Sequence, residues 1–291
     1  MEINGYTRVC GVMGHPVEHT MSPAIHNTLA ENLNENLTYV PLHVPVGYVK
    51  DAVKGAYALN FLGCNVTVPY KSDVIPYLVE IDELAKNIGA VNTLVRVEKG
   101  FKGYNTDMPG LYRAMCEDGV HIEGEQVLIL GAGGVARAVA MLLADKGAKR
   151  VIILNRTVEK AQSIAVEVNG MVGRTLVTAC DLEAYKMLPK EEKWLCVQAT
   201  NVGMFPKQDE VLIEDPEFYQ RIHTGYDLIF NPAKTRFMQL TEIAGGKSYN
   251  GLKMLLWQGI IAYELWTHTS VPNDLADKAF GAMKMAMGIK G

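Results

Sequence analysis

The most constraining stretch of this chain runs from Glu125 to Thr157, EQVLILGAGGVARAVAMLLADKGAKRVIILNRT. Val127–Leu130 is a short, continuous apolar run, the pattern of a strand buried on both faces. It leads straight into Gly131-Ala132-Gly133-Gly134-Val135-Ala136. An Ala- and Leu-rich helical pattern covers 135–146 and stops at Gly147; a second apolar run, Val151–Leu154, follows. This order predicts one βαβ unit with a GxGxxA turn. Gly131 permits the tight turn, Gly133 leaves backbone N–H groups open to a pyrophosphate, and Ala136 lets the helix pack close to the sheet. Alone the motif is weak, and a ligand-free Gly-rich turn is the alternative. The strand before it, and the helix and strand after it, are the context that gives it weight.

The end of the second strand bears on which dinucleotide would bind. NAD-binding units usually place an acid about 20 residues beyond the glycines, for the ribose 2′-hydroxyl. Here Asn155-Arg156-Thr157 stands at that position, with Lys160 one helical turn on. A carboxylate repels a 2′-phosphate, whereas a guanidinium forks onto it. The reading is NADP(H), with Arg156 and Lys160 as phosphate ligands and Asn155 and Thr157 as hydrogen-bond donors. Solvated surface charges are the competing explanation for Arg156 and Lys160.

At 291 residues the chain can bury a sizeable core and is long enough for two domains. A net charge of −4 gives no bulk attraction to nucleic acid or an anionic membrane. The N-terminus lacks a signal-peptide pattern, and no apolar run reaches the roughly 20 residues of a membrane helix. Cys10, Cys64, Cys116, Cys180 and Cys196 are scattered and odd in number, so they read as reduced thiols of a cytoplasmic protein. No CxxC or His/Cys cluster suggests a metal.

Along the chain, Val9–Met13 reads as a first strand. Ser22-Pro23 reads as the N-cap and N1 of a helix reaching about Leu33. Strands follow over 38–44 and 61–68, with a helix between them. The second strand ends in Thr67-Val68-Pro69-Tyr70-Lys71, which puts Lys71 at a strand's carboxyl end. A helix stopping at Gly89 leads to a hairpin, 91–97 with 101–104, expected at a sheet edge. Asn105-Thr106-Asp107 starts another helix, with Asp107 as a plain helix cap in the bland reading. The later pattern gives a helix over 158–168, strands near 175–177, 194–199, 226–230 and 247–249, and a helix over 235–244. Two closing helices, about 252–266 and 273–287, follow the completed sheet and are expected to return to the first domain. The fold class is therefore α/β with two α/β domains: an N-terminal domain, 1–107 plus 251–291, with a mixed sheet, and a doubly wound (Rossmann) dinucleotide-binding domain, 108–250.

A nicotinamide cofactor implies hydride transfer, and the carbonyl or alcohol partner needs a group that moves a proton to or from oxygen. The first domain offers Lys71 and Asp107 for that task. Around them it offers small polar groups, Thr20, Ser22, Thr67 and Asn92, with Gln258 from the returning helix. One cation among hydroxyls and amides suits a small, polyhydroxylated, anionic substrate.

At these residues the chain resembles the shikimate dehydrogenase family over nearly its whole length. The matching segments are Gly11–Asn27 (GVMGHPVEHTMSPAIHN), Asn65–Lys71 (NVTVPYK), Gly89–Thr93 (GAVNT), Gly103–Asp107 (GYNTD), Gly131–Ala138 (GAGGVARA), Asn155–Thr157 (NRT) and Met254–Gln258 (MLLWQ). The resemblance implies reversible reduction of 3-dehydroshikimate to shikimate by NADPH, in the route through chorismate to aromatic amino acids. It implies that Thr20 and Ser22 hold the substrate carboxylate and that Thr67, Asn92, Asp107 and Gln258 bind the ring hydroxyls. Lys71 and Asp107 would be the catalytic pair. Cofactor contacts would come from Gly131 to Ala136, from Asn155, Arg156, Thr157 and Lys160, from Thr200, Asn201, Met204 and Phe230, and from Gly251 beside the nicotinamide. No metal is implied, and a homodimer is compatible with this reading. The chain departs from the family's frequent residues at Thr20 (Ser), Phe230 (Tyr), Asn250 (Asp) and Lys160 (Arg), which leaves the reaction class intact. A sister branch also accepts quinate and commonly carries an acid near the ribose; Asn155-Arg156-Thr157 argues against it. The rival from another class is a non-catalytic NADP(H)- or substrate-sensing module on the same fold. Such a sensor has no need of a lysine–aspartate pair.

Overall fold

The computed structural model describes residues 3–289. The chain divides into two compact units: one runs up to Leu111 and resumes at Leu255, and the other is Tyr112–Met254.

The first unit starts with β1 (Arg8–Gly14), α1 (Ser22–Asn32), β2 (Leu37–His43), α2 (Val49–Ala58) and β3 (Gly63–Val66). Then come β4 (Glu80–Ile81), α3 (Glu83–Ile88), β5 (Thr93–Val97), β6 (Gly100–Tyr104) and the start of α4 (Asp107–Glu117). Its sheet has the order β2-β1-β3-β5-β6-β4. β1 is parallel to β2 and β3, whereas β3, β5 and β6 run antiparallel in succession. The hairpin is therefore not the sheet edge. The two-residue β4 lies outside it, parallel to β6, and is too short to show a period in sequence. Asp82 caps α3 by accepting the Leu84 N–H, and Gly89 ends it at φ 72, a left-handed turn that favours glycine. That stop sets Val91 and Asn92 at the entrance to β5.

The second unit contains β7 (Gln126–Leu130), α5 (Gly134–Asp145), β8 (Arg150–Leu154), α6 (Val158–Val172), β9 (Val177–Cys180) and β10 (Trp194–Gln198). It continues with α7 (Pro216–Tyr219), β11 (Ile222–Asp227), α8 (Arg236–Ile243) and β12 (Lys247–Tyr249). All six strands are parallel, in the order β12-β11-β10-β7-β8-β9. Val127–Leu130 and the core of β8 are fully buried, as continuous apolar runs require when helices cover both faces. The order reverses between β7 and β10. That switch point is where an open α/β sheet leaves a crevice outside its strand ends.

β11 begins earlier than its apolar residues suggest and ends at Asp227 rather than Phe230. His223, Thr224 and Gly225 hide its start. Gly225 is tolerated because a Cβ there would lie 3.0 Å from Phe237 and Thr241 of α8. At its end, buried Asp227 accepts the Ile229 N–H at 3.0 Å and the Thr235 hydroxyl at 2.6 Å, folding the chain over at once. Burial pushes the Asp227 carboxyl up to about 6 from 3.8. Between those values the native state holds a proton that the unfolded chain has released, so stability falls as pH rises through the window, the reverse of a salt-bridged carboxylate. Asp227→Asn keeps an acceptor for Ile229 and is expected to remove this component. Urea unfolding from about pH 4 to 6 checks it: parallel pH profiles for the two proteins would show that Asp227 carries no such linkage.

Two helices return to the first unit, α9 (Leu252–Thr267), which joins it from Leu255, and α10 (Asn273–Ala286), which packs on α1. Trp266 of α9 donates its Nε1–H to the Leu94 carbonyl at 2.8 Å. It lies over Gly63, where a Cβ would be 2.1 Å from Nε1. No other residue type fits beneath that indole.

Candidate active site

In the first unit, β3 ends and the chain turns through Thr67–Tyr70, with the Tyr70 N–H donating to the Thr67 carbonyl. Tyr70 is buried and its hydroxyl donates to the Val44 carbonyl at 2.7 Å. The next residue, Lys71, accepts the Val91 N–H on its own carbonyl at 2.8 Å. Its backbone is thus tied at both sides, and its side chain reaches Asp107, Nζ to Oδ2 at 2.7 Å. The pair is partly screened from water, at 33% and 19% side-chain exposure.

Asp107 opens α4 but does not cap it. Asn105 does, its Oδ1 accepting the N–H groups of Asp107 and Met108. The carboxylate is thereby released for Lys71 on one oxygen and for Asn92 Nδ2 on the other, at 2.9 Å. Gln258 Oε1 stands 3.5 Å from the same Asn92 nitrogen. It comes this close because α9 crosses α4 at Gly110, where a Cβ would lie 2.6 Å from the Gln258 nitrogen. Lys71, Asp107, Asn92 and Gln258 therefore form one connected set.

The remaining candidates of this unit lie at strand and helix ends. Thr67 is at the end of β3, its methyl 2.3 Å from where a Gly14 Cβ would be. Thr20 Oγ1 accepts the Ser22 N–H at 3.3 Å. Ser22 is not the N-cap: Met21 holds that position, no side chain caps the helix, and Ser22 is its first residue, 8% exposed. The loop before it is tied down by His15 and His43, whose ring nitrogens are 2.9 Å apart.

In the second unit, Gly131 follows β7 at φ 103, and a Cβ there would lie 2.4 Å from the Thr200 methyl. The GxGxxA turn and the end of β10 thus meet at the switch point. Thr200 is held by Gln198, which accepts both its N–H and its hydroxyl. Gly133 is the N-cap of α5 and supplies no side-chain acceptor. Around Gly133 and Gly134 the space a Cβ would fill is open, while Ala136 is fully buried; Ala132 and exposed Val135 complete the turn. First-turn N–H groups facing open space beside a glycine are what an anionic pyrophosphate uses. Asn155 Nδ2 donates to the Thr157 carbonyl at 2.8 Å, shaping the turn in which Arg156 is exposed; Lys160 follows in the first turn of α6. Arg156, Asn201, Met204, Phe205 and Lys207 are among the residues lining a cavity of about 690 Å³. Gly251 is packed so tightly that a Cβ would lie 2.3 Å from the Leu228 carbonyl oxygen. Phe230 is half-buried in the loop after β11. Asn250 accepts the Leu252 N–H and so caps α9, a task that Asn performs as well as Asp.

The chain is similar to known proteins along its length. Residues 12–94 fit a model of the shikimate dehydrogenase substrate binding domain, 114–188 that of shikimate / quinate 5-dehydrogenase, and 251–279 that of the shikimate 5'-dehydrogenase C-terminal domain. The shikimate dehydrogenase (NADP(+)) of Carboxydothermus hydrogenoformans is 41% identical, over 97% of this chain and 99% of that one. The chain belongs to the shikimate dehydrogenase family. The family's protein of the same name from Desulforamulus reducens is 43% identical over 94% of each chain. A shikimate dehydrogenase solved with NADP+ superposes at a TM-score of 0.88, with 34% identity, 100% of this chain and 98% of that one covered. The Thermus thermophilus enzyme in complex with NADP(H) and shikimate gives 0.84, with 32% identity over 96% and 100%.

The sequence candidates omit several buried residues that hold the set together: Tyr39, Asn65, Thr93, Asn105 and Thr106. Four of these five lie inside the motif segments quoted above, so a signal existed. What was absent was a way to see that a side chain beside a site residue points at it.

Proposed function

We propose that this protein catalyses the reversible reduction of 3-dehydroshikimate to shikimate with NADPH. The observation that carries the reading is the Lys71–Asp107 contact of 2.7 Å, joined to Asn92 and Gln258 in a chain whose other unit carries an acid-free dinucleotide motif. Gly131 to Ala136 would hold the pyrophosphate, Arg156 and Lys160 the 2′-phosphate, and Thr200, Asn201 and Met204 would line the way along the cofactor. When bound, the cofactor supplies or accepts the hydride. Lys71 donates a proton to the ketone oxygen in reduction and takes it back in oxidation, and its charge stabilises the developing alkoxide. Asp107 orients Lys71 and accepts from a ring hydroxyl; Asn92, Thr67 and Gln258 orient the ring. Thr20 and Ser22, at the start of α1, hold the carboxylate where helix N–H groups favour an anion. Every residue named comes from one chain, so the reading holds for a monomer or a homodimer. Among the described residues no helix is long and apolar enough to cross a membrane.

The test is to mix the protein with NADP+ and shikimate and follow NADPH absorbance. Turnover is expected, and binding of both without turnover would replace the enzyme with a sensing module. Ser22→Ala refines the assignment of the carboxylate anchor. Losing a hydrogen bond to a charged group costs about 1.5–3 kcal/mol, so KM for shikimate is expected to rise roughly 10-fold or more. Ser22 caps nothing, but its buried side chain hydrogen-bonds Tyr39, so a modest fall in melting temperature is expected beside the rise in KM. A fall in melting temperature with an unchanged KM would return Ser22 to a purely structural role.

A further inference from the structure

Asp107 is oriented by more than Lys71. Asn92 Nδ2 donates to Asp107 Oδ1 at 2.9 Å. The direction of that amide is settled at its other end, where Oδ1 accepts the Thr106 N–H at 2.8 Å, something an NH2 group cannot do. The same oxygen accepts the Thr93 hydroxyl at 3.1 Å. Thr93 Oγ1 accepts in turn from Asn65 Nδ2 at 3.1 Å. Asn65 is settled in the same way: Nδ2 also donates to the Asn92 carbonyl at 3.2 Å, so Oδ1 faces Tyr39, whose hydroxyl donates at 2.7 Å. Burial raises the Tyr39 phenol, which keeps it a donor. From Tyr39 through Asn65, Thr93 and Asn92 to Asp107, each group donates to the next. Tyr39, Asn65, Thr93, Asn92 and Thr106 are all 5% exposed or less. Neutral amides and hydroxyls buried in this way add little apolar burial; satisfied end to end, they fix orientation.

We propose that Thr93 is a positioning residue for the reaction, fixing with Asn65 and Tyr39 the Asn92 amide and, through it, the Asp107 carboxylate that meets Lys71. The inference rests on the reading of Lys71 and Asp107 as the catalytic pair. Thr93 is the hydroxyl through which Asn65 and Tyr39 reach the Asn92 side-chain amide. Thr106 Oγ1, 3.2 Å from both Thr93 Oγ1 and Asn92 Oδ1, closes the cluster. Without the Thr93 hydroxyl, Asn65 Nδ2 loses one acceptor and Asn92 Oδ1 one donor, and the amide is held by one restraint fewer.

The experiment compares full-length wild type, Thr93→Val, Thr93→Ser and Lys71→Met in kcat, KM for NADP+ and melting temperature. Thr93→Val is expected to lower kcat about 10–100-fold, the scale of a small misplacement of reacting groups, with KM for NADP+ unmoved. Thr93→Ser, which restores the hydroxyl, is expected to recover most of kcat. Wild-type kcat in folded Thr93→Val overturns the proposal, as does a Thr93→Ser enzyme as slow as Thr93→Val. If Thr93→Val does not fold, Thr93→Ala carries the same criterion. An inactive Lys71→Met beside a normal Thr93→Val sinks the positioning role alone. A near-normal Lys71→Met removes the catalytic pair and the inference together.

Discussion

Lys71→Met, which keeps the side-chain length and removes the charge, is expected to lower kcat by about 10²–10⁴-fold. KM for shikimate should change far less, because the interaction grows mainly as charge develops on the substrate oxygen. Lys71 is held in place by its backbone bond to Val91 and by the 2.7 Å contact with Asp107. Asp107→Asn should also slow turnover. Because the two side chains touch, the double variant should lose less than the product of the single losses. The bland alternative is a surface ion pair worth under about 1 kcal/mol, whose removal would nudge the melting temperature and leave turnover intact. Steady-state kinetics on correctly folded Lys71→Met decides between them: near-normal kcat would take Lys71 out of the mechanism.

Arg156→Ala is expected to raise KM for NADP+ by about 10–100-fold, the loss of one charge-assisted phosphate contact of roughly 1.5–3 kcal/mol. NAD+ has no 2′-phosphate, so its KM should barely move. Arg156 also lines the cavity of about 690 Å³ in its unit. If it served only to shape that cavity, both cofactors would suffer together, and equal losses would refute the phosphate assignment.

The parts of this protein that could be read from sequence are those where one local rule suffices. The βαβ unit was visible because a strand buried on both faces has no polar residues to blur it, and because Gly131, at φ 103 beside the Thr200 methyl, and fully buried Ala136 sit where small residues are favoured. The helix stop at Gly89 was visible for a similar reason. Features set by distant partners were not. Nothing within Glu80–Ile81 says that it pairs with β6. Ser22 looks like a cap, yet Met21 holds that position; Asp107 looks like a cap, yet Asn105 performs the task two residues earlier. The early start of β11 is masked by His223, Thr224 and Gly225, whose fit depends on α8. The site followed the same division. Lys71, Asp107, Asn92 and Gln258 were legible as candidates carried by motifs, and the structure brings them together, whereas Tyr39 and Asn65 enter only through hydrogen bonds made across the sheet.

The first unit is interrupted in sequence by the whole of the second, and this has a consequence for how the protein is made. A ribosome working from the N-terminus delivers β1 to β6 early. It then synthesises the complete dinucleotide-type sheet before α9 and α10 appear. Until then Gly63 has no Trp266 above it and Asn92 has no Gln258 beside it. The mixed sheet must wait for more than half the length of the chain with one face covered only in part, by α1, whose His26 later meets Trp266 of α9. The second unit, contiguous in sequence, can complete its core first. The nascent polypeptide therefore acquires its dinucleotide motif well before its lysine–aspartate set is complete, and an incomplete translation product has no means of finishing the first unit.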